Sequence, residues 1–252
     1  MAPKSVQADL HIHTCLSPCG DWDMSPRAVA ETSRERGLDI IAVCDHNSAE
    51  NAAAVVRAGR RAGIRVLPGM EICSREEVHL LAIFPDAEGA AEMQKLVYAH
   101  LDGENRPDYF GYQIVADEYD QVLGENPRLL IGATTLGTHR IAEKIRDLGG
   151  ICIAAHVDRP AFGLLSQLGF VPPDLALDAV EISYRTADRA AEFPVPGRED
   201  LPRVAGSDAH YPADIGRART IFDIPRATFG EIRRALAEPG GPRVRATAEA
   251  SP

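Results

Sequence analysis

Long apolar runs are absent from this sequence. No stretch approaches the roughly 18 uncharged residues that a bilayer span requires, and the opening MAPKSVQADL lacks the apolar core of a secretory leader. The expected setting is cytoplasmic, with no membrane partner. Cysteine is scarce: five residues, at 15, 19, 44, 73 and 152, odd in number and scattered, which argues against a disulfide framework and for reduced thiols. Cys15 and Cys19, in HTCLSPCGD, have no second cysteine pair to complete a tetrahedral thiolate site and read as packing or loop residues. Positive charge is short as well. Lys and Arg number 27 against 37 Asp and Glu, a net charge of −10, which argues against the broad basic footprint that holds duplex nucleic acid. A small phosphate ester stays compatible with that balance, because bound cations invert the local field of a site. There is no fixed-period repeat, and no Gly-x-Gly-x-x-Gly turn follows the first apolar run to favour dinucleotide binding.

What is present is the composition of a globular protein able to bury a full core, with 45% hydrophobic and 25% charged residues. A single domain over 1–240 is expected, followed by a Pro, Gly and Ala rich end that frays over 241–252. Short apolar runs recur as ADLHIH (8–13), LDIIAVCD (38–45), IRVLPG (64–69), VHLLAIF (78–84), GICIAAH (150–156), AVEIS (179–183) and RVAGSD (203–208). Bounded by Gly, Pro and Asp, they predict buried strands of a parallel sheet. Helices are predicted between them, the first capped by Ser25-Pro26 and closed by Gly37, others near 48–62, 89–101, 138–148 and 227–237. Strand and helix alternate from end to end, which points to an α/β barrel or a doubly wound sheet, and the barrel is preferred. The segment 102–135 breaks the rhythm and reads as an insertion or cap, its Tyr109, Phe110 and Tyr112 serving local packing.

Position carries the functional signal. Nearly every apolar run ends in a side chain able to bind metal, where α/β barrels place their chemistry. His11 and His13 are two apart on one strand, so both rings leave the same face; Asp208 and His210 repeat the spacing. His46 follows IIAVCD, Glu71 follows RVLPGM, His79 opens HLLAIF and His156 ends ICIAA. Each taken singly reads as a hydrogen-bonded loop residue. Together they put six of the eight histidines at predicted strand ends, an arrangement too costly to bury without cations. Imidazole combined with carboxylate suits zinc, manganese or iron, and a carboxylate such as Glu71 or Asp208 can bridge two ions.

In order, DLHIHTCLSPCGD, VCDHN, PGMEI, EVHLL, AAHVDRP and GSDAHYP resemble the PHP (polymerase and histidinol phosphatase) family over roughly residues 9–216. The resemblance implies a distorted seven-stranded β/α barrel with a trinuclear metal centre, so that two or three divalent metal ions are expected, and hydrolysis of phosphoesters by a metal-bound hydroxide. Carried over by motif, one metal takes His11, His13, Glu71 and Asp208, and a second takes Glu71, His79 and His156. A third takes Asp21, His46 and His210, although the loop CLSPCGDW departs in length from the family's short serine and aspartate turn; without Asp21 the site is binuclear. Asp45 reads as a group that orients a ligand or a water. Catalysis is expected to depend on Glu71, Asp208 and His210, with Arg159 or Arg185 on the phosphate oxygens and Arg217 as a further candidate. Arg57, Arg60 and Arg61, at helical spacing, read as a solvated face.

The resulting expectation is a phosphoric ester hydrolase acting on a small phosphorylated molecule or nucleotide. The alternatives are a 3'-5' or 5'-3' exonuclease on short single-stranded oligonucleotides, with 102–135 shaping a groove, and a catalytically silent metal-binding regulatory module, against which the complete ligand set counts. Amidohydrolases also begin with HxH, but they would want a bridging lysine where this chain offers Glu71.

Overall fold

The computed structural model describes residues 3–237 and 244–248. The strands are β1 (Lys4–Ile12), β2 (Ile40–Val43), β3 (Arg65–Cys73), β4 (His79–Ile83), β5 (Ile114–Ala116), β6 (Val122–Glu125), β7 (Ile151–Ala154), β8 (Ala179–Ile182), β9 (Arg203–Ala205), β10 (Ala218–Ile224) and β11 (Val244–Ala248). The helices are α1 (Pro26–Glu35), α2 (Ala52–Ala62), α3 (Ala87–Tyr98), α4 (Pro107–Phe110), α5 (Thr138–Asp147), α6 (Leu164–Leu168) and α7 (Phe229–Ala237). Nine strands form one sheet in the order β11-β10-β1-β2-β3-β4-β7-β8-β9, curled into a nearly closed α/β barrel. The Thr220 hydroxyl on β10 links the two ends, accepting from the Ala205 amide and donating to its carbonyl, both at 2.9 Å.

The seven apolar runs are the seven strands from β1 to β9 without the β5–β6 pair, and the periodicity of the chain explains their burial. On β2, Ile41 and Val43 pack outward on Val29 of α1 and Val55 of α2. The alternating Ile40 and Ala42 join Ala8, Leu10, Leu67 and Leu81 in a second cluster with Ile232 and Leu236 of α7. Ser25 caps α1, its hydroxyl accepting from the Ala28 amide at 3.4 Å, with Pro26 at the first helical position.

Two expectations are corrected. The sheet is mixed, because β4 runs antiparallel to both β3 and β7. Residues 74–78, which join Cys73 to His79, are too few for the crossover that a parallel neighbour needs. Of the end expected to fray, Val244–Ala248 pairs antiparallel with β10 as an edge strand; the rest of 241–252 lies outside the described residues. The segment 102–135, expected as an insertion or cap, has structure of its own. It holds α4 and the separate β5–β6 hairpin, and buried amides fasten it to the barrel. Asn47 Nδ2 donates to the carbonyls of Leu130 and Gly132, at 2.8 and 2.7 Å. Asn51 Nδ2 donates to Ile114 O, while its Oδ1 accepts from Ala116 N. Its aromatics are largely exposed, Tyr109 73%, Tyr112 46% and Phe110 43%; Tyr109 and Tyr112 pack locally as expected, against Arg106 and Trp22, while the side-chain amides of Asn47 and Asn51 secure the segment. Arg57, Arg60 and Arg61 form an exposed face as expected, and two of them also reach the segment, Arg57 pairing with Glu118 at 2.8 Å and Arg61 lying 4.1 Å over the Tyr119 ring.

Candidate metal centre

One mouth of the barrel gathers the ends of seven strands. His13, His46, His156 and Asp208 lie just past the carboxyl ends of β1, β2, β7 and β9, while His11 and Glu71 lie within β1 and β3. The reversed direction of β4 puts its first residue, His79, at the same mouth, opposite Cys73 of β3. His156 and Asp208 have positive φ, 29° and 49°, as have the neighbouring Asn47 at 50° and Phe162 at 58°, so backbone strain is concentrated where these side chains converge.

Glu71 is the hub. Its Oε1 lies 2.8 Å from His79 Nδ1, 3.1 Å from His156 Nε2 and 3.4 Å from His11 Nε2. Its Oε2 lies 3.0 Å from His46 Nδ1 and 3.5 Å from His13 Nε2. Asp208 Oδ1 is 3.1 Å from His13 Nε2, and its Oδ2 is held by Arg159 Nη1 at 2.6 Å. Burial opposes ionisation of both carboxyls, but the imidazoles around them keep each well below the usual carboxylate range. Burial likewise opposes a charge on His11, yet Glu181, Glu71 and Asp208 hold its pKa well above the ordinary value.

Outer contacts fix which ring nitrogen faces inward. His11 Nδ1 lies 2.9 Å from Glu181 Oε2. His13 Nδ1 lies 2.9 Å from Ser17 Oγ, whose own proton goes to Asp45 Oδ1 at 2.7 Å. His210 Nδ1 donates to the Asp208 carbonyl at 2.9 Å. Each Nδ1 therefore carries a proton toward its outer partner, and each Nε2 is the nitrogen turned to the interior, its lone pair available to a metal ion that displaces any proton there. Nε2 of His11 and of His13 face each other at 3.1 Å, a pairing that needs a cation or a proton between them. Glu71 Oε2 is buried and receives no hydrogen bond. These two observations, with a donor set of imidazole and carboxylate, fit divalent metal ions.

Three groups of ligand atoms lie within 4.8 Å of one another: His11, His13, Glu71 and Asp208; His46, Glu71 and His79; and His13, His46 and His210. The first is the set that the motifs imply. His156 sits beside the second group through Glu71 Oε1. Asp21 joins none of the three groups, and its carboxylate accepts from the Asp23 amide at 2.9 Å instead.

The PHP domain profile matches residues 9–190, and a profile described as PHP-associated matches residues 194–238. The chain belongs to the PHP domain family. It is 29% identical over 186 residues to the uncharacterized protein MJ1587 of Methanocaldococcus jannaschii, covering 70% of this chain and 81% of that one. It is 24% identical over 264 residues to the uncharacterized Bacillus subtilis protein YqxK, covering 92% of this chain and 62% of that one. The fold is that of the lesion-specific endonuclease Q of Pyrococcus furiosus, with a TM-score of 0.71 at 20% identity over 96% of this chain. The chain spans 58% of that enzyme's length. A Bifidobacterium adolescentis protein described as a metal-dependent phosphoesterase superposes with a TM-score of 0.55 at 21% identity, over 93% of this chain and 96% of its own.

Membership of the PHP family makes the chain a metal-dependent phosphoric ester hydrolase. Beside the candidate metal centre lies a cavity of about 470 Å³ lined by Arg159, Arg185, Arg217, Tyr184, Cys19 and His210, among others. A smaller one of about 180 Å³ reaches Glu71, His79 and His156 past Ile131 and Phe162. Arg159 faces both. Arg217 stacks 3.5 Å over the Tyr184 ring and ties to the Ser207 carbonyl at 3.0 Å.

Several residues of this PHP site escape a reading of the sequence. Glu181, inside the apolar run AVEIS, orients His11 and accepts from the His156 amide at 3.0 Å. Asp9 accepts from the amides of Ser207 and Gly216, at 3.0 and 2.9 Å, and so moors the loop carrying Asp208 to β1. Asp158 accepts from Ser183 and Thr186, fixing the turn that bears Arg185. Phe162 stacks on His79 at 4.5 Å between ring centres. Cys19 lies against His46 and His210; burial opposes its ionisation, but the two rings bring its pKa down to about 6. The detectable signals were a lone acid inside each of the runs ADLHIH and AVEIS, where the pleat alone would favour an apolar residue.

Proposed function

We propose that the chain hydrolyses the phosphate ester of a small molecule or a nucleotide seated in the arginine-lined cavity. The observation that carries this reading is the shared wall: Arg159, Arg185 and Arg217 border the same space as Asp208 and His210, so phosphate oxygens bound by guanidinium groups would lie beside the metal centre. His11, His13, Glu71 and Asp208 would hold one cation, and Glu71, His79 and His156 a second, zinc, manganese or iron by donor type. Cations held there supply Lewis acidity and a water of lowered pKa. The chain's own residues do the rest. Glu71 and Asp208 set the charge of the centre, Arg159 and Arg185 orient the phosphate and neutralise charge developing on it, and Phe162 and Ile131 restrict water at the inner cavity.

The second reading is a nuclease. It is supported by Trp22 and Tyr112, exposed and in edge contact at 5.2 Å, which offer faces on which unpaired bases stack, and by the neighbour endonuclease Q, solved with a 27-mer duplex carrying an abasic lesion at its active site. One panel decides between them: phosphate release from mononucleotides, nucleoside bisphosphates and histidinol phosphate, beside cleavage of short single strands and lesion-bearing duplexes, with His11→Ala as control. Turnover of small esters abolished by the substitution supports the first reading, and cleavage confined to the oligonucleotides replaces it with the second.

A further inference from the structure

The third group, His13, His46 and His210, brings together three imidazoles that carry no compensating negative charge when neutral. The motifs place Asp21 with His46 and His210, but the loop is built otherwise. Asp21 donates its amide to the His210 carbonyl at 2.8 Å and turns its carboxylate to the Asp23 amide. Before it, the chain makes a tight turn in which the Gly20 amide donates to Ser17 O at 2.8 Å. A Cβ on Gly20 would stand 2.3 Å from the Thr14 carbonyl oxygen, so the turn needs glycine there. That turn puts the Cys19 thiol within hydrogen-bonding reach of His46 and His210 and on one cavity wall with Asp208 and His210, its sulfur standing, like the Asp21 carboxylate, just outside the three tightest groups.

A separate observation marks the same place as a cation position. Glu71 Oε2, 1% exposed as a residue and without a hydrogen-bond donor, points at His46 and His13. We infer that Cys19, and not Asp21, completes the position beside His46 and His210, its thiolate binding a metal ion together with those two imidazoles while the lone pair of His13 Nε2 serves the neighbouring group. As the sulfur–metal bond forms, the thiol proton passes to solvent and the metal's charge is matched by the thiolate. A thiolate among imidazoles favours zinc or iron over manganese and magnesium, so this position would select its ion differently from the carboxylate-rich group at His11 and Asp208. The inference rests on the metal-centre reading above but is independent of which ester is cleaved.

The test is spectroscopic and uses the full chain, stripped by a chelator and refilled with cobalt(II). Thiolate ligation gives an intense sulfur-to-cobalt charge-transfer band in the near ultraviolet, measured alongside cobalt content per chain. The band is expected in the unsubstituted protein, in Cys15→Ser and in Asp21→Asn, and is expected to vanish in Cys19→Ser with a fall in cobalt content. Absence of the band from the unsubstituted protein, its survival in Cys19→Ser, or its loss in Asp21→Asn overturns the assignment. Alkylation covers the case in which Cys19→Ser folds poorly. In the unsubstituted protein Cys19 should react with iodoacetamide when metal-free and be shielded when loaded with zinc, and equal labelling of both forms counts against ligation. A protein that shows the band but cleaves no ester loses the hydrolase reading alone, whereas one that turns over without the band loses this inference alone.

Discussion

Between Oε1 and Oε2, Glu71 meets His11, His13, His46, His79 and His156 at 2.8 to 3.5 Å. A neutral amide there would keep the volume of the side chain but lose the charge that five rings share. Glu71→Gln should therefore lower metal content and reduce ester hydrolysis by more than the ~100-fold typical of a residue outside the ligand set. Elemental analysis with initial rates checks this, and normal metal content in the variant would refute the bridging role. Glu181 acts at one remove, through His11 Nδ1. Glu181→Gln is expected to fold and to weaken metal affinity about 10- to 100-fold, measured by competition with a chromogenic chelator; unchanged affinity would leave Glu181 a packing residue. The histidines stood out because most lie at one end or other of an apolar run, and a position near a strand end is a property of local sequence. Glu181 was not, since its partner His11 lies 170 residues away and nothing within AVEIS records that distance. Cys19 was illegible for a related reason: spacing between cysteines carries no information when the other donors are histidines on distant strands.

At the scale of elements, β3, β4 and their short turn show how topology serves the site. A pattern of apolar runs registers strands but not their direction, so the parallel expectation failed at β4, and yet the reversal is what brings His79 to the mouth opposite Cys73. The loop after β9 depends on a glycine. A Cβ on Gly206 would stand 2.3 Å from Glu181 Oε1 and 2.7 Å from His11 Cβ. Gly206→Ala should thus cost about 1–3 kcal/mol of stability and displace the His11–Glu181 pair, seen as a lower Tm together with weakened metal binding; an unaltered Tm would show that the strands can part without cost. The insertion was unreadable because its order comes from side chains outside it. Asn51 satisfies Ile114 O and Ala116 N, so Asn51→Ala should leave buried groups without partners at about 1–3 kcal/mol each. Limited proteolysis should then cut within 105–128 faster than in the unsubstituted chain, and equal cleavage rates would mean the hairpin holds without this tie.

For the whole molecule, the decisive property is that the barrel gathers Glu71, Asp208, Glu181 and six imidazoles at one mouth of a chain whose net charge is −10. No helix among the described residues is long and apolar enough to cross a membrane. The unfolded chain scatters these donors over some 200 positions of sequence, from His11 to His210, so cations bind the folded form in strong preference. Each ion present at a thousandfold excess over its Kd should add about 4 kcal/mol. For a domain of this size that corresponds to roughly 8–16 °C in Tm for one ion. Scanning calorimetry of metal-loaded and chelator-stripped protein measures the difference directly, and the Glu71→Gln variant should show a much smaller one because the shared carboxylate is gone. If stripping leaves the Tm unchanged while metal content falls, the cations are not held by the folded centre and the strand-end histidines must be satisfied by one another.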